Sequence, residues 1–272
     1  MELLNGKKEV FMELREFARQ YPSAAVGFSG GVDSAYLLYA GLKEGADWRP
    51  VYIRSAFQPS FELEDAKRLC SMLGAELTIL EADILSNETV KANTADRCYY
   101  CKQVLFGIIT EWAKEQGIPL VLDGNNASDA PEDRPGMRAV KELGIRSPLR
   151  EAGLNKIMIR KLSRDAGLFT WNKPAYACLA TRVPAGTPLD KDTLIKVDLS
   201  EDALRQMGFT DFRVRILQNA AKLQLTRDQL GTAILKREQI LNALKPYFSE
   251  VLLDLNERPG IEFLVPTEKE VD

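Results

Sequence analysis

Apolar positions along this chain change their spacing repeatedly, and each change marks an element. Leu3, Leu4, Val10, Phe11, Leu14 and Phe17 recur at helical intervals, which predicts an amphipathic helix over residues 3–20, ended by Pro22. Ala24 to Phe28 is a continuous apolar run, the pattern of a strand buried on both faces. Tyr36, Leu37, Tyr39 and Ala40 return to helical spacing, in a helix expected to reach Glu44. The cycle then repeats. Strands are predicted over 50–55, 76–80 and 119–122, and helices over 61–73, 103–116 and 154–166. Strands alternating with helices predict an α/β fold, a doubly wound parallel sheet. Such sheets bind ligands at the carboxyl ends of their strands. Past Pro184 the rhythm changes to a helix over 190–207, a hairpin from 212–217 and 222–225, a helix over 227–245 and a last strand over 250–255. Two units are therefore expected: residues 1–183, and a smaller α+β unit at 184–272.

The first strand runs into Ser29-Gly30-Gly31-Val32-Asp33-Ser34 and then into a helix. Strand, glycine turn and helix start make an anion site, because free N–H groups and the positive end of the helix dipole point at one spot. The glycines let backbone N–H groups approach a ligand, and Ser29 and Ser34 add hydroxyls. Asp33 would repel a phosphate unless it holds a magnesium ion, which takes oxygen ligands and bridges phosphates. No lysine closes the loop, so it is not the common nucleotide-binding P-loop. S-G-G-x-D-S resembles instead the pyrophosphate loop of the ATP-pyrophosphatases, which cut ATP between its α and β phosphates and adenylylate an acceptor. Arg54, Ser55, Asp123 and Gly124 also fall at predicted strand ends and join Ser29, Gly30, Gly31, Asp33 and Ser34 as candidates for binding ATP and pyrophosphate. Asp123 is a second, weaker candidate for magnesium.

Composition narrows the chemistry. The 272 residues are 45% hydrophobic and 28% charged, ordinary globular values. No apolar run approaches the roughly 20 residues of a membrane span, and the first residues lack a signal-peptide core, so a cytoplasmic protein is expected. The formal charge is −3, which weighs against a nucleic-acid partner. There is no histidine, so the usual neutral-pH acid–base group is missing and any metal must be held by thiolates and carboxylates.

The four cysteines are Cys70, Cys98, Cys101 and Cys178. Cys70 falls inside a predicted helix beside Leu69 and Met72 and reads as a core residue. Four readings remain for the others. A four-thiolate zinc site would need Cys70 as well. Cys98 and Cys101 form a C-x-x-C that could be a redox pair. Cys98, Cys101 and Cys178 would suit an iron–sulfur cluster with one iron left open for a sulfide. Three unrelated buried thiols would also account for the sequence. Lys173 and Arg182 flank Cys178, and nearby cations favour thiolate.

The stretches 123-DGNNASDAPEDRPGMRA-139, 171-WNKPAYACLATRVPAGT-187 and 213-RVRI-216, together with S-G-G-V-D-S, resemble the ATP-dependent sulfur transferases that build the nickel-pincer nucleotide of lactate racemase, the LarE family. The likeness covers residues 20–255. It implies an adenine nucleotide alpha-hydrolase-like (PP-loop) sheet and a pyridinium mononucleotide bearing carboxylates as substrate. ATP adenylylates a carboxylate, sulfur displaces AMP, and a thiocarboxylate results. In one branch a cysteine at the place of Cys178 gives up its own sulfur. The other branch has a C-x-x-C and binds a [4Fe-4S] cluster whose open iron carries a transferable sulfide. The presence of Cys98 and Cys101 favours the second branch here, with Cys178 and Asp33 as catalytic residues. The resemblance also implies that Arg213 and Arg215 bind the substrate phosphate, and two residues at i and i+2 on a strand share a face. Asp129, Asp133 and Arg134 are further candidates on the magnesium and substrate side, and Glu201 is a candidate near the sulfur. A homo-oligomer is implied; the sulfide donor is not. The rival readings are a tRNA-thiolating enzyme, an amide-forming synthetase related to NAD synthetase, and a nucleotide or cluster carrier that transfers nothing.

Overall fold

The computed structural model describes residues 14–129 and 135–258. Of the first predicted helix, residues 14–20 (α1) fall in that range. Asp133 and Arg134 lie outside it.

Four strands, β1 (Ser23–Gly27), β2 (Asp47–Arg54), β3 (Thr78–Glu81) and β4 (Val121–Leu122), form one parallel sheet in the order β3-β2-β1-β4. The doubly wound sheet is the one the sequence predicts. Strand β2 starts at Asp47, three residues ahead of expectation, and includes Pro50. The proline is tolerated because the β3 ladder begins only at Val51, so no neighbour on that side needs its missing N–H. Helices α2 (Val32–Lys43) and α3 (Ser60–Leu73) cover one face, where Tyr36, Leu37 and Leu69 pack with Val26, Trp48 and Tyr52. On the other face, α5 (Arg97–Glu115) lays Ile109 and Ala113 against Ala25, Val51 and Ile53. A short α4 (Glu88–Lys91) precedes α5. Chain order switches beside β1, with β2 and β3 to one side and β4 to the other. The crevice at the ends of β1 and β4 is thus the switch point where a ligand enters.

Three helices follow β4: α6 (Pro135–Glu142), α7 (Pro148–Glu151) and α8 (Lys156–Asp165). The first two were not expected; proline and mixed charge obscure their short apolar faces. After α9 (Lys191–Gln206), strands β5 (Arg213–Leu217) and β6 (Ala220–Gln224) make the predicted hairpin, and β7 (Glu250–Leu253) adds to β6 in parallel. The long helix predicted over 227–245 is two helices, α10 (Arg227–Leu235) and α11 (Arg237–Leu244), broken at Lys236. The break lets Ala233 of one and Ile240 and Leu244 of the other reach the same cluster around Val214, Leu223 and Phe212. Helix α5 starts at Arg97, six residues before its apolar periodicity begins, so Cys98 and Cys101 ride on its first turns. Among the described residues, no helix is long and apolar enough to cross a membrane.

Candidate active site

The loop after β1 folds as its residue types require. Gly30 takes a left-handed φ of +69°, and a Cβ there would stand 3.2 Å from the backbone N of Ala66, so α3 packs directly on the loop. Gly31 caps α2 without a side-chain partner, which leaves the helix's first N–H groups facing the crevice. Ser34 Oγ accepts from the Ser29 N–H at 3.3 Å, and Ser29 Oγ accepts from the Gly31 N–H at 3.3 Å. Across the crevice Gly124 approaches within van der Waals range, and a Cβ on it would come 3.0 Å from Ser34 N.

The lysine that the loop lacks in sequence is supplied in space. Lys156, the first residue of α8, pairs with Asp33, and Asn126 Nδ2 donates to the same carboxylate at 3.4 Å. Burial raises the Asp33 pKa and Lys156 opposes the rise. Lys173 donates to the Gly30 carbonyl at 3.2 Å and pairs with Asp65 at 2.7 Å. Arg160, one turn beyond Lys156, donates to the Trp171 and Lys173 carbonyls at 2.6 and 2.9 Å, and its charge reaches Asp33. Three cations, Lys156, Arg160 and Lys173, thus stand around the loop, with the half-buried carboxylates of Asp33 and Asp65 among them.

Asp123 is buried and its oxygens are engaged. Ser147 donates to it at 2.6 Å, the Asn125 N–H at 3.1 Å, and Asn125 Nδ2 donates as well. Asp129 accepts from the Asn126 N–H at 2.8 Å and shapes the turn that aims Asn126 at Asp33. Arg54 is exposed and pairs with Glu81 at 3.5 Å, while Ser55 donates to Gln58 at 2.6 Å. Both line a cleft of about 670 Å³ between β2, α3 and α9 whose lining does not include the loop.

The fold brings Cys98, Cys101 and Cys178 together. Cys101 and Cys178 pack against one apolar cluster with Phe57 and Leu179, and each of the three thiols feels the charge of another. Burial pushes the Cys101 thiol up to about 12 and raises Cys178 too, while Arg97 opposes both shifts. Arg97 Nη2 stands 3.8 Å from Cys98 Sγ, and its Nη1 donates to the Ala180 carbonyl at 3.2 Å. Cys70, on the buried face of α3, belongs to a different core cluster from Cys101 and Cys178. Among the described residues, no three Cys, Asp or Glu side chains are arranged around a single metal ion. A cluster spreads its ligands over several irons, so its thiolates stand farther apart than the ligands of one ion.

The segment around Cys178 is pinned from several elements. Leu179 N–H donates to Phe57 O at 2.9 Å. Arg182 is fully buried and makes a two-point pair with Glu201 at 2.8 and 3.0 Å. Its Nη1 donates to the carbonyls of Ala177 at 2.6 Å and Cys178 at 3.2 Å. Glu201 also accepts from Tyr176 and from the Val214 N–H at 2.9 Å, which gives it a structural place beside the sulfur. Arg213 and Arg215 do face the same side, toward this segment. Arg213 is buried, donates to Ala175 O at 2.6 Å, and is drawn down to about 10 by burial and by Arg182 and Arg258. Arg215 donates to Thr181 O at 2.6 Å and reaches a cleft of about 480 Å³ that it lines with Arg97, Arg182 and Lys222. No carboxylate lines that cleft among the described residues.

Comparison with known proteins now adds to this geometry. No protein-family model matches the chain. It is 36% identical over 234 residues to an uncharacterized protein of Synechocystis, covering 84% of each. It is 34% identical over 233 residues to the pyridinium-3,5-bisthiocarboxylic acid mononucleotide synthase of Lactiplantibacillus plantarum, covering 85% of this chain and 84% of that one. The chain belongs to the LarE family of sulfur transferases. Over an alignment of 141 positions, covering 43% of this chain and 39% of the other, the chain is 26% identical to the tRNA-specific 2-thiouridylase MnmA of Thermotoga petrophila. That likeness fits the PP-loop type of sheet seen here.

In this LarE-family chain, the residues that sequence reading missed are those that act from a distance. Lys156 and Arg160 were unmarked because nothing near them in sequence resembles a phosphate loop, and Lys173 was marked only as a cation flanking Cys178. Arg97 and Lys222 stood in no motif. The helical spacing of Lys156 and Arg160, one turn apart, was the available signal, and a plain solvated face shares it.

Proposed function

We propose that this chain cleaves ATP at the 29–34 loop to activate a carboxylate, and then transfers sulfur to that carboxylate beside Cys178. One observation carries the reading: residues 171–182 cross the whole site, with Lys173 on the Gly30 carbonyl, Cys178 among the thiols, and Thr181 and Arg182 on the basic cleft. The name of the 34%-identical relative supports a pyridinium mononucleotide as acceptor. Its phosphate suits the cleft of Arg97, Arg215 and Lys222, where burial, and then the nearby Arg182 and Arg258, disfavour the Arg215 charge and an anion would offset them. Arg213, expected at the same phosphate, supports it by holding Ala175.

The chemistry follows from the groups present. A carboxylate is a poor electrophile until its oxygen is part of a good leaving group. Its attack on the α phosphorus of ATP forms the acyl adenylate and expels pyrophosphate toward the N–H groups of the loop, with Lys156, Arg160 and Lys173 around it. Hydrosulfide-level sulfur then adds to the acyl carbon, AMP leaves, and a thiocarboxylate remains. Asp33 would hold a magnesium ion, which neutralises phosphate charge; the ammonium of Lys156 at that carboxylate marks the place as one for a cation. Cys98, Cys101 and Cys178 would hold a [4Fe-4S] cluster, which would supply sulfide at the iron they leave open.

The test is to purify the chain without oxygen, measure iron and acid-labile sulfide for the native protein and Cys98→Ala, and add Mg-ATP with pyridinium-3,5-dicarboxylate mononucleotide. About four irons per cluster, lost in the variant, and release of pyrophosphate with a thiocarboxylate product are expected. No pyrophosphate with this acceptor overturns the reading. No iron, with loss of one sulfur from the chain on turnover, assigns the donor role to Cys178 itself.

A further inference from the structure

Lys173 belongs to both halves of the site. It lies five residues before Cys178, yet its ammonium sits on the pyrophosphate loop, on the Gly30 carbonyl and Asp65. The side chain is 13% exposed, so these partners hold it in place of water. Arg160 fixes the backbone at Trp171 and Lys173. From there contacts run on toward the sulfur. Phe61 of α3 lies 5.3 Å beneath the Lys173 ammonium, and Tyr176 meets Phe61 edge-on at 4.9 Å. Arg205 of α9 covers Phe61 at 3.7 Å. Tyr176 bonds Glu201, the partner of Arg182, which in turn holds the Cys178 carbonyl.

In this state Lys173 shares one ammonium between the neutral Gly30 carbonyl and Asp65, and its charge also reaches Glu62. Pyrophosphate in the loop would offer several negative charges at the same spot, and Coulomb attraction favours them over a carbonyl. Because α3 packs on Gly30 without a Cβ between, loop and helix present one surface to Lys173.

We propose that Lys173 is a positioning residue that couples pyrophosphate in the 29–34 loop to the placement of Cys178. Its ammonium moves from the Gly30 carbonyl and Asp65 onto pyrophosphate oxygen, and residues 173–178 follow. The coupling rests on the reading of ATP cleavage at this loop. It would let the sulfur reach the acyl carbon only once the leaving group has formed.

The experiment is hydrogen exchange of the full chain with and without magnesium and inorganic pyrophosphate, read by mass spectrometry on peptides covering 29–40 and 171–179. Native protein is expected to slow in both, by about threefold or more. At magnesium and pyrophosphate concentrations raised until each variant is saturated, Lys173→Met is expected to keep the response at 29–40 and lose it at 171–179, while Lys173→Arg keeps both. Asp65→Asn, which frees the ammonium without removing it, is expected to bind pyrophosphate more tightly and to keep both responses. Equal responses at 171–179 in native protein and Lys173→Met overturn the coupling, as does a native response confined to 29–40. Absence of any response at 29–40 overturns the reading of the loop, and the coupling falls with it.

Discussion

The pyrophosphate loop and the Cys178 segment share one site and are built in opposite ways. The loop's internal bonds join residues no more than five positions apart. The Cys178 segment is held by Phe57, Arg97, Glu201, Arg213 and Arg215, drawn from the loop after β2, from two helices and from the second sheet. A site closed by neighbours in sequence depends on backbone conformation. A site closed at a distance depends on long-range polar pairs, whose loss strands buried charge. The first should fail by losing chemistry and the second by losing structure.

Glu201→Ala against Asp33→Asn tests that contrast most strongly. Removing Glu201 leaves buried Arg182 without its two-point partner, and a loss of about 3–5 kcal/mol in urea unfolding is expected. Asp33→Asn removes a carboxylate that burial already disfavours, so its stability should stay within about 1 kcal/mol. Pyrophosphate release by that variant should fall about 100-fold or more. Similar unfolding losses in the two variants would end the comparison.

Asn93 offers a smaller test on the distant side. It is buried with φ of +54°, and its Nδ2 donates at 2.9 Å to both Pro184 and Thr187 carbonyls just beyond the Cys178 segment. Asn93→Ala should cost about 2–3 kcal/mol from lost bonds and the left-handed backbone, and Asn93→Gly about 1 kcal/mol less. Equal losses would mean that the backbone conformation contributes nothing.

Glu62 sharpens the comparison by pH, because it lies where the two regions meet. Burial raises its carboxyl from 4.5 to about 7, against the pull of Lys173 and Arg182. Between those values the folded chain keeps a proton that the unfolded chain releases, so stability falls as pH rises through the window and levels off above it. Glu62→Gln removes this loss. The variant should be more stable than native protein by about 3 kcal/mol at pH 8 and nearly match it at pH 4.5. A constant difference across that range would show that the carboxyl does not titrate there.

The same division explains what could be read in the sequence. The sheet was legible because strands buried on both faces are apolar runs, and the hairpin because β5 and β6 alternate. The loop was legible because its chemistry is contiguous. The first turns of α5 were not, since Arg97 to Gln103 spend their side chains on Asn93, Glu142 and the Cys178 segment rather than on an apolar stripe. The break at Lys236 was hidden because α10 and α11 serve one core and read as one periodic run. The contacts of Lys156 and Lys173 with the loop were illegible for a geometric reason: their partners Asp33 and Gly30 are 123 and 143 positions away along the chain.

The bonds that hold the Cys178 segment end on main-chain atoms, at the carbonyls of Ala175, Ala177, Cys178, Ala180 and Thr181 and the amide of Leu179. Besides these, the Thr181 backbone N–H reaches the Cys178 side chain itself. A change at the sulfur would therefore release one bond and leave the grip on the main chain in place, so the segment should keep its position while the atom at its tip is altered.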